Sequence, residues 1–495
     1  MRNLQNISLS VLLLLSASVM GYAQTPAAPK EGDLSFKPFT LKAEAQTVEC
    51  ELGRLVVKEN RKNPKSNLIE LAFVRLKSAA EKPGYPVIYL DGGPGSSAIN
   101  LARVPDYLQA FLKLREVGDV LLLDQRGVGL SKPNLTRISA ESLPLDVFAS
   151  RDVALRVLSE RAKAAADDFR AKGINLLAYN TIENAHDVDD IRKALGAEKV
   201  NLVGFSYGTH LGLACIRYHG ANLHRVVLIG TEGQNHTDKL PSTSDKSIQR
   251  LSQIVAQDSQ LGSRIPDLAG MLKRVLDRLE KEPVTVRITD QRGRKPVDVK
   301  VGKFGLQFLI MRDLGDTNDL PIFPAWFYTM NKGDYRILAR FVERRYNQLG
   351  AGIQLMTLVM DASSGCSKER REQIAREAKT ALLGDTVNFP FPEIGAVLGN
   401  PDLGDEYRSP LKTAVPTLFF SGTFDNNTPS FQTDEVRRGF KQGIHIIVEN
   451  AGHESMVVDE TVQQTMVRYL RGQDVSKVKI VLPPLQFLPI PEETK

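Results

Sequence analysis

Gly204-Phe205-Ser206-Tyr207-Gly208, arriving directly after the run Lys199-Val200-Asn201-Leu202-Val203, decides how this 495-residue chain is read. The apolar run predicts a buried strand, the pentapeptide a sharp turn with a serine at its apex, and Thr209 onward a helix. Small residues around Ser206 let the backbone turn tightly and hold the hydroxyl clear of it. A serine hydroxyl is a poor nucleophile at neutral pH. It needs a base beside it and a group that orients the base.

Working outward, short continuous apolar runs recur at Pro86–Leu90, Val120–Leu123, Val200–Val203, Arg225–Ile229, Pro416–Phe420 and Ile444–Val448. Strands covered on both faces of a sheet look like this. Leu55–Val57 and Ile69–Leu76 precede them as β-like runs, and residues 24–37 read as a flexible Pro/Ala/Lys-rich lead-in. Helical patterns at Ile99–Leu114, Thr181–Leu195, Tyr207–Tyr218, Ser430–Lys441 and Asp459–Arg471 separate the strands. This alternation predicts an α/β fold, a mostly parallel sheet flanked by helices. Between residues 235 and 412 it stops, giving way to helices and a hairpin around Gly293, a large mainly helical cap inserted between core strands 6 and 7. The expected division is a leader 1–23, core 24–234, cap 235–412, core 413–475 and a Pro-rich tail 476–495, read as extended over the surface.

The partners of Ser206 are expected downstream, acid before base. His453, in Asn450-Ala-Gly-His-Glu454, lies on a loop past the last strand, where an imidazole can reach the serine, whereas His445 lies inside that strand and reads as structural. Asp425, on the loop after Thr417–Phe420, is the acid that would fix the imidazole tautomer. Glu232, after the sixth strand, is the runner-up acid or a substrate-binding group. Asp91-Gly-Gly-Pro-Gly-Ser-Ser97 follows the third strand with amides free to approach a ligand; Gly93, with Gly92 close behind, and the N–H of Tyr207 are the expected oxyanion donors. Arg126 reads as a structural ion pair bracing the glycine loop, and Trp326 as packing rather than as a pocket wall.

Together Gly92-Gly-Pro-Gly-Ser-Ser97, Asp124-Gln-Arg-Gly-Val-Gly-Leu-Ser131, Gly204-Phe-Ser-Tyr-Gly-Thr209, the helix Asn184–Arg192 and the Asp425 and His453 loops resemble the proline iminopeptidase/tripeptidyl aminopeptidase branch of the α/β-hydrolases. The resemblance covers most of the chain outside the cap. It implies an α/β-hydrolase fold and a serine aminopeptidase that releases an N-terminal residue or short peptide through an acyl-enzyme, without metal or cofactor. Its partners would be peptides with a free N-terminus. Asp91 departs from the pattern, since many relatives carry histidine there. Relatives often read the free amine with acids near the cap, for which Glu232 is a candidate. An esterase with the same triad is the alternative, because a fold does not fix its substrate.

Arg2, the apolar core around Val11–Leu15 and the small residues to Ala23 have the layout of a secretory signal peptide, too short to span a bilayer, so an exported protein with no later membrane segment is expected. The formal charge of +6 is spread among acids and argues for a solvated mixed surface rather than a nucleic-acid site. No His-Glu-x-x-His occurs. Three cysteines are too few for a disulfide scaffold; Cys50 and Cys366 could pair in an oxidising compartment, and Cys215 reads as core.

Overall fold

The computed structural model describes residues 29–139 and 141–491; the expected leader 1–23 lies outside them. Ten strands form one sheet: β1 (Leu34–Ala43), β2 (Gln46–Lys58), β3 (Leu68–Leu76), β4 (Val87–Leu90), β5 (Val120–Asp124), β6 (Val200–Phe205), β7 (Leu223–Ile229), β8 (Thr417–Gly422), β9 (Gly443–Glu449) and β10 (Ile480–Val481). Their spatial order is β1-β2-β3-β5-β4-β6-β7-β8-β9-β10. The β1-β2-β3-β5 ladders are antiparallel, and every pairing from β5 through β10 is parallel.

Every residue of β4, β5, β6 and β8 is buried, which their uninterrupted apolar runs require. Side chains alternate between the faces. Leu202, Leu228 and Phe419 join one core with helix residues Val188, Ile191 and Leu211. Val203, Val227 and Phe420 join the other with Phe111, Val462 and Met466.

Several elements differ from the sequence reading. Leu34–Lys37 belongs to β1 rather than to a flexible lead-in: an edge strand that alternates half-buried and exposed residues carries little apolar signal. The expected helix Ile99–Leu114 is two helices, Ala98–Leu101 and Pro105–Leu114, because Pro105 cannot continue a preceding helix and opens the second. With β1 added, the large insertion falls between β7 and β8.

That insertion packs in two ways. Its first part builds a separate core from Val255, Leu272, Leu276, Trp326, Phe341 and others, joined by Phe148 and Val157 from the stretch between β5 and β6 and by Ile490 of the tail. Its last part mostly joins the core on the sheet, through Leu355, Met356, Val359, Ile394 and Tyr407, while Leu383 and Phe389 stay with the separate core. The tail is accordingly docked, with Leu488 N–H donating to Pro321 O at 3.0 Å, rather than simply laid over the surface. All three cysteines are free thiols: Cys50 lies half-buried on β2 and Cys366 is buried past the helix Leu355–Ser364, so the pairing left open by the sequence is not formed. Among the described residues no helix is long and apolar enough to cross a membrane.

Candidate active site

β6 ends at Phe205 and the helix Tyr207–His219 begins one residue later, leaving Ser206 alone in the turn at φ 54°, ψ −124°. A non-glycine residue is strained there, so the surrounding packing must impose the conformation. It does so through glycine. A Cβ on Gly208 would lie 1.9 Å from Leu90 O, so the helix starts against β4 with no room for a side chain. A Cβ on Gly92 would lie 2.8 Å from Ser206 Cβ, which places the glycine loop directly against the serine.

His453 follows β9 and Asp425 follows β8, at the same end of the sheet as Ser206. His453 Nδ1 donates to Asp425 Oδ2 at 2.9 Å. Asp425 also accepts from the Asn427 and Thr428 amides on Oδ1 at 2.9 and 2.8 Å, and from Thr428 Oγ1 on Oδ2 at 2.6 Å. Burial works to raise the Asp425 carboxyl, but the imidazole and these donors hold it below its ordinary range. Burial also works to lower the His453 pKa, and the Asp425 carboxylate outweighs it, so the imidazole titrates above its ordinary value. With Nδ1 committed as donor, Nε2 is the free acceptor. The His453 ring lies 4.8 Å from that of Phe205, the residue before Ser206.

Two cavities meet at Ser206, Gly93 and Asn427. The larger, about 710 Å³, is lined by His453, Glu454, Asp91, Tyr107 and the glycine loop. The smaller, about 280 Å³, is lined by Glu232, Asp361, Arg312, Lys239 and Phe389, and not by His453. Tyr207 is the first residue of the helix after Ser206, and Gly93 stands on the wall common to both cavities.

Glu232 does not stand in for Asp425. Its Oε2 is paired with Lys239 Nζ, while Oε1 is buried without a hydrogen-bond partner. Asp361, on the helix Leu355–Ser364, was missed in the sequence, although one acid in the uncharged and mainly apolar Leu355–Ala362 run was a usable signal. Burial pushes its carboxyl well above the usual range, Glu232 adds to this, and Lys239 and Arg312 oppose it. Thr428 was also missed.

Arg126 is fully buried and grips Asp187 with two hydrogen bonds of 2.7 Å, and it reaches Glu59 O and Ala178 O. The ion pair expected of it is present, but the bracing of the glycine loop comes from its neighbours. Gln125 Nε2 donates to Asp91 O at 3.0 Å, and Asp124 accepts from Ser97 Oγ at 2.7 Å. Trp326 is stacked 4.0 Å from Phe341 inside the cap core. His445 bonds Ser421 and Asp434.

The parallel sheet, the serine at its strand–helix turn and the paired carboxylate and imidazole beyond β8 and β9 define a serine hydrolase of the α/β-hydrolase class. The family description "alpha/beta hydrolase fold" matches residues 85–299, and "TAP-like protein" matches residues 402–477. Within that class, the matched segments are similar to serine peptidases of the tripeptidyl aminopeptidase kind. It is 30% identical over 192 residues to serine protease Hip1 of Mycobacterium tuberculosis, a match covering 37% of this chain and 36% of that one. It is 30% identical over 174 residues to the tripeptidyl aminopeptidase of Streptomyces lividans, covering 33% and 32%. The chain thus spans about a third of the length of these relatives. The solved proline iminopeptidase of Mycobacterium smegmatis is a looser likeness, with a TM-score of 0.38 and 12% identity over 88% of this chain and 98% of that one.

Proposed function

We propose that this chain is an exported serine aminopeptidase that removes one N-terminal residue from peptides through an acyl-enzyme on Ser206. In this reading Ser206 is the nucleophile, His453 the base, Asp425 the group that orients it, and the amides of Gly93 and Tyr207 the oxyanion donors. Residues 1–23 would direct export, and residues 235–412 form a cap on a core of 24–234 and 413–475, with 476–495 as tail.

The observation that carries the reading is the pair of unlike cavities meeting at Ser206. Ser206 Oγ attacks the scissile carbonyl while His453 Nε2 takes its proton. The carbonyl oxygen becomes an oxyanion, and each donor aimed at it is worth about 10²–10³ in rate. The imidazolium then returns the proton to the departing nitrogen, so the leaving peptide must lie on the side His453 faces, in the larger cavity. Water attacks the ester by the same route and regenerates Ser206.

The acyl part then lies in the smaller cavity. At about 280 Å³ against about 710 Å³ for the larger cavity, this space favours a short acyl part, a single residue in this reading. The unpartnered Glu232 Oε1 and the Asp361 carboxyl give that cavity acceptors for a free α-ammonium group.

The test is hydrolysis of matched chromogenic peptides, amine free or acetylated, with one or three residues before the reporter, and Ser206→Ala protein as the blank. Turnover confined to free-amine, single-residue substrates is the expected result. Equal rates on acetylated forms would leave a broader acyl hydrolase, and a preference for three residues would overturn the size argument.

A further inference from the structure

The larger cavity carries a charge bias that the hydrolytic chemistry does not need. Its lining includes the carboxyls of Asp91 and Glu454, and no lysine or arginine. Apart from the His453 imidazole, the remaining walls are glycines, hydroxyls, amides and apolar or aromatic side chains. The two acids differ in how they are satisfied. Asp91 is almost fully buried and accepts from Tyr89 Oη at 3.1 Å. Glu454 Oε2 is buried with no hydrogen-bond partner.

Glu232 Oε1 in the smaller cavity shares this lack, whereas the other carboxylates beside the catalytic loops are satisfied. Asp425 accepts four hydrogen bonds, and Asp124 accepts from Ser97 Oγ, Ile99 N–H and Leu130 N–H. A buried carboxylate oxygen without a partner costs free energy that a cation beside it recovers. Burial holds the Glu454 carboxyl above its usual range, the neighbouring His453 imidazole opposes this, and Asp316 adds to it.

Position says what the missing partner is. Glu454 follows His453 directly, with their Cα atoms about 3.8 Å apart, and the imidazole must reach the nitrogen of the leaving peptide. The side chain nearest that nitrogen belongs to the first residue after the scissile bond. Resting on the aminopeptidase reading above, we infer that Glu454 selects peptides whose first residue beyond the scissile bond carries a cationic side chain, lysine or arginine. With no lysine or arginine in the lining to neutralise them, the two carboxyls bear on that residue.

The test compares amidated peptides Ala-Lys-Gly-Gly and Ala-Gln-Gly-Gly, each with a free amine, by the ratio of their kcat/KM values in one enzyme preparation. The wild-type ratio is expected to be about tenfold in favour of lysine, a modest value for a close charge pair. In Glu454→Gln the ratio should fall to near one, and in Glu454→Lys it should reverse. Each ratio is internal to its variant, so a partly folded preparation does not distort it.

A second measurement needs no variant. Lys-Gly-Gly-amide should inhibit the wild-type enzyme at lower concentration than Gln-Gly-Gly-amide. Equal inhibition, a wild-type ratio near one, or a tenfold ratio retained in Glu454→Gln would overturn the assignment. Alanine p-nitroanilide, which has no residue beyond the scissile bond, separates the two proposals. If it is cleaved while the ratio stays near one, only the role of Glu454 falls; if neither it nor the peptides are cleaved, both proposals fall.

Discussion

Replacing Asp91 by asparagine should stabilise the protein, and only on one side of a pH window. Asp91 is 3% exposed, and burial pushes its carboxyl up to about 6 from an ordinary 3.8, although Gly92 N–H and Tyr89 Oη oppose the rise. Between those two values the folded protein holds a proton that the unfolded chain has released. Stability therefore falls as pH rises from 3.8 to about 6 and stays reduced above it. The gap of about two pH units, at about 1.4 kcal/mol each, costs roughly 3 kcal/mol at pH 8 and almost nothing below pH 4.

An amide keeps the acceptor for Tyr89 and carries no charge to desolvate. Asp91→Asn should accordingly gain roughly 3 kcal/mol at pH 8 relative to its effect near pH 4. With an unfolding entropy of about 2 cal/mol/K per residue, a chain of this length changes Tm by about 1 °C per kcal/mol. Thermal unfolding of both proteins at pH 4 and pH 8 should show the variant's advantage widen by about 3 °C. A difference in Tm that is the same at both pH values would refute the assignment of the cost to Asp91.

Asp425→Asn should lower kcat/KM by about 10⁴. Activity needs a neutral imidazole, whose pKa lies above 6.5 while Asp425 is charged, so the wild-type profile should rise through an inflection above 6.5. In the variant burial acts without the Asp425 carboxylate to outweigh it and the inflection should move down; an unmoved inflection would show that Asp425 does not govern the base. Gly208→Ala forces a methyl into Leu90 O and should cost about 1–3 kcal/mol of stability together with most of the turnover, read by Tm and kcat. Unchanged kcat would show the turn to be more tolerant than its packing implies. Trp326→Ala should cost about 3–5 kcal/mol in thermal unfolding. A loss below 1 kcal/mol would mean the stacked Trp326–Phe341 pair is not central to the cap core.

The parts legible in the sequence were those set by neighbours along the chain. Ser206 with its glycines and the Asp425 loop follow fully buried strands marked by their apolar runs, whereas the strand before His453, expected to be covered on both faces, lies near the sheet edge with Ile447 exposed. Distant packing was opaque. Arg312 and Asp361 share the smaller cavity although 49 positions separate them in an insertion with no period to relate them. Glu232 was located but not its lysine partner, because Lys239 lies on an irregular turn. The same blindness hid the division of the insertion, since an apolar helix facing the sheet and one facing other helices look alike in sequence.

Two of the hydrogen bonds between the proposed cap and the core hold the loops proposed for catalysis. His453 N–H donates to Gly315 O at 2.9 Å, and Thr357 Oγ1 donates to Pro94 O at 2.6 Å. One tie holds the loop of the imidazole, the other the glycine loop beside Ser206. Insertions in this fold invite treatment as interchangeable modules, to be cut out and replaced by a relative's to transfer substrate preference. Here a transplanted cap would have to bring a carbonyl and a hydroxyl to those two places, or the recipient would lose alignment of groups it had never exchanged. Recombination between relatives should therefore succeed only at junctions that inherit both ties together.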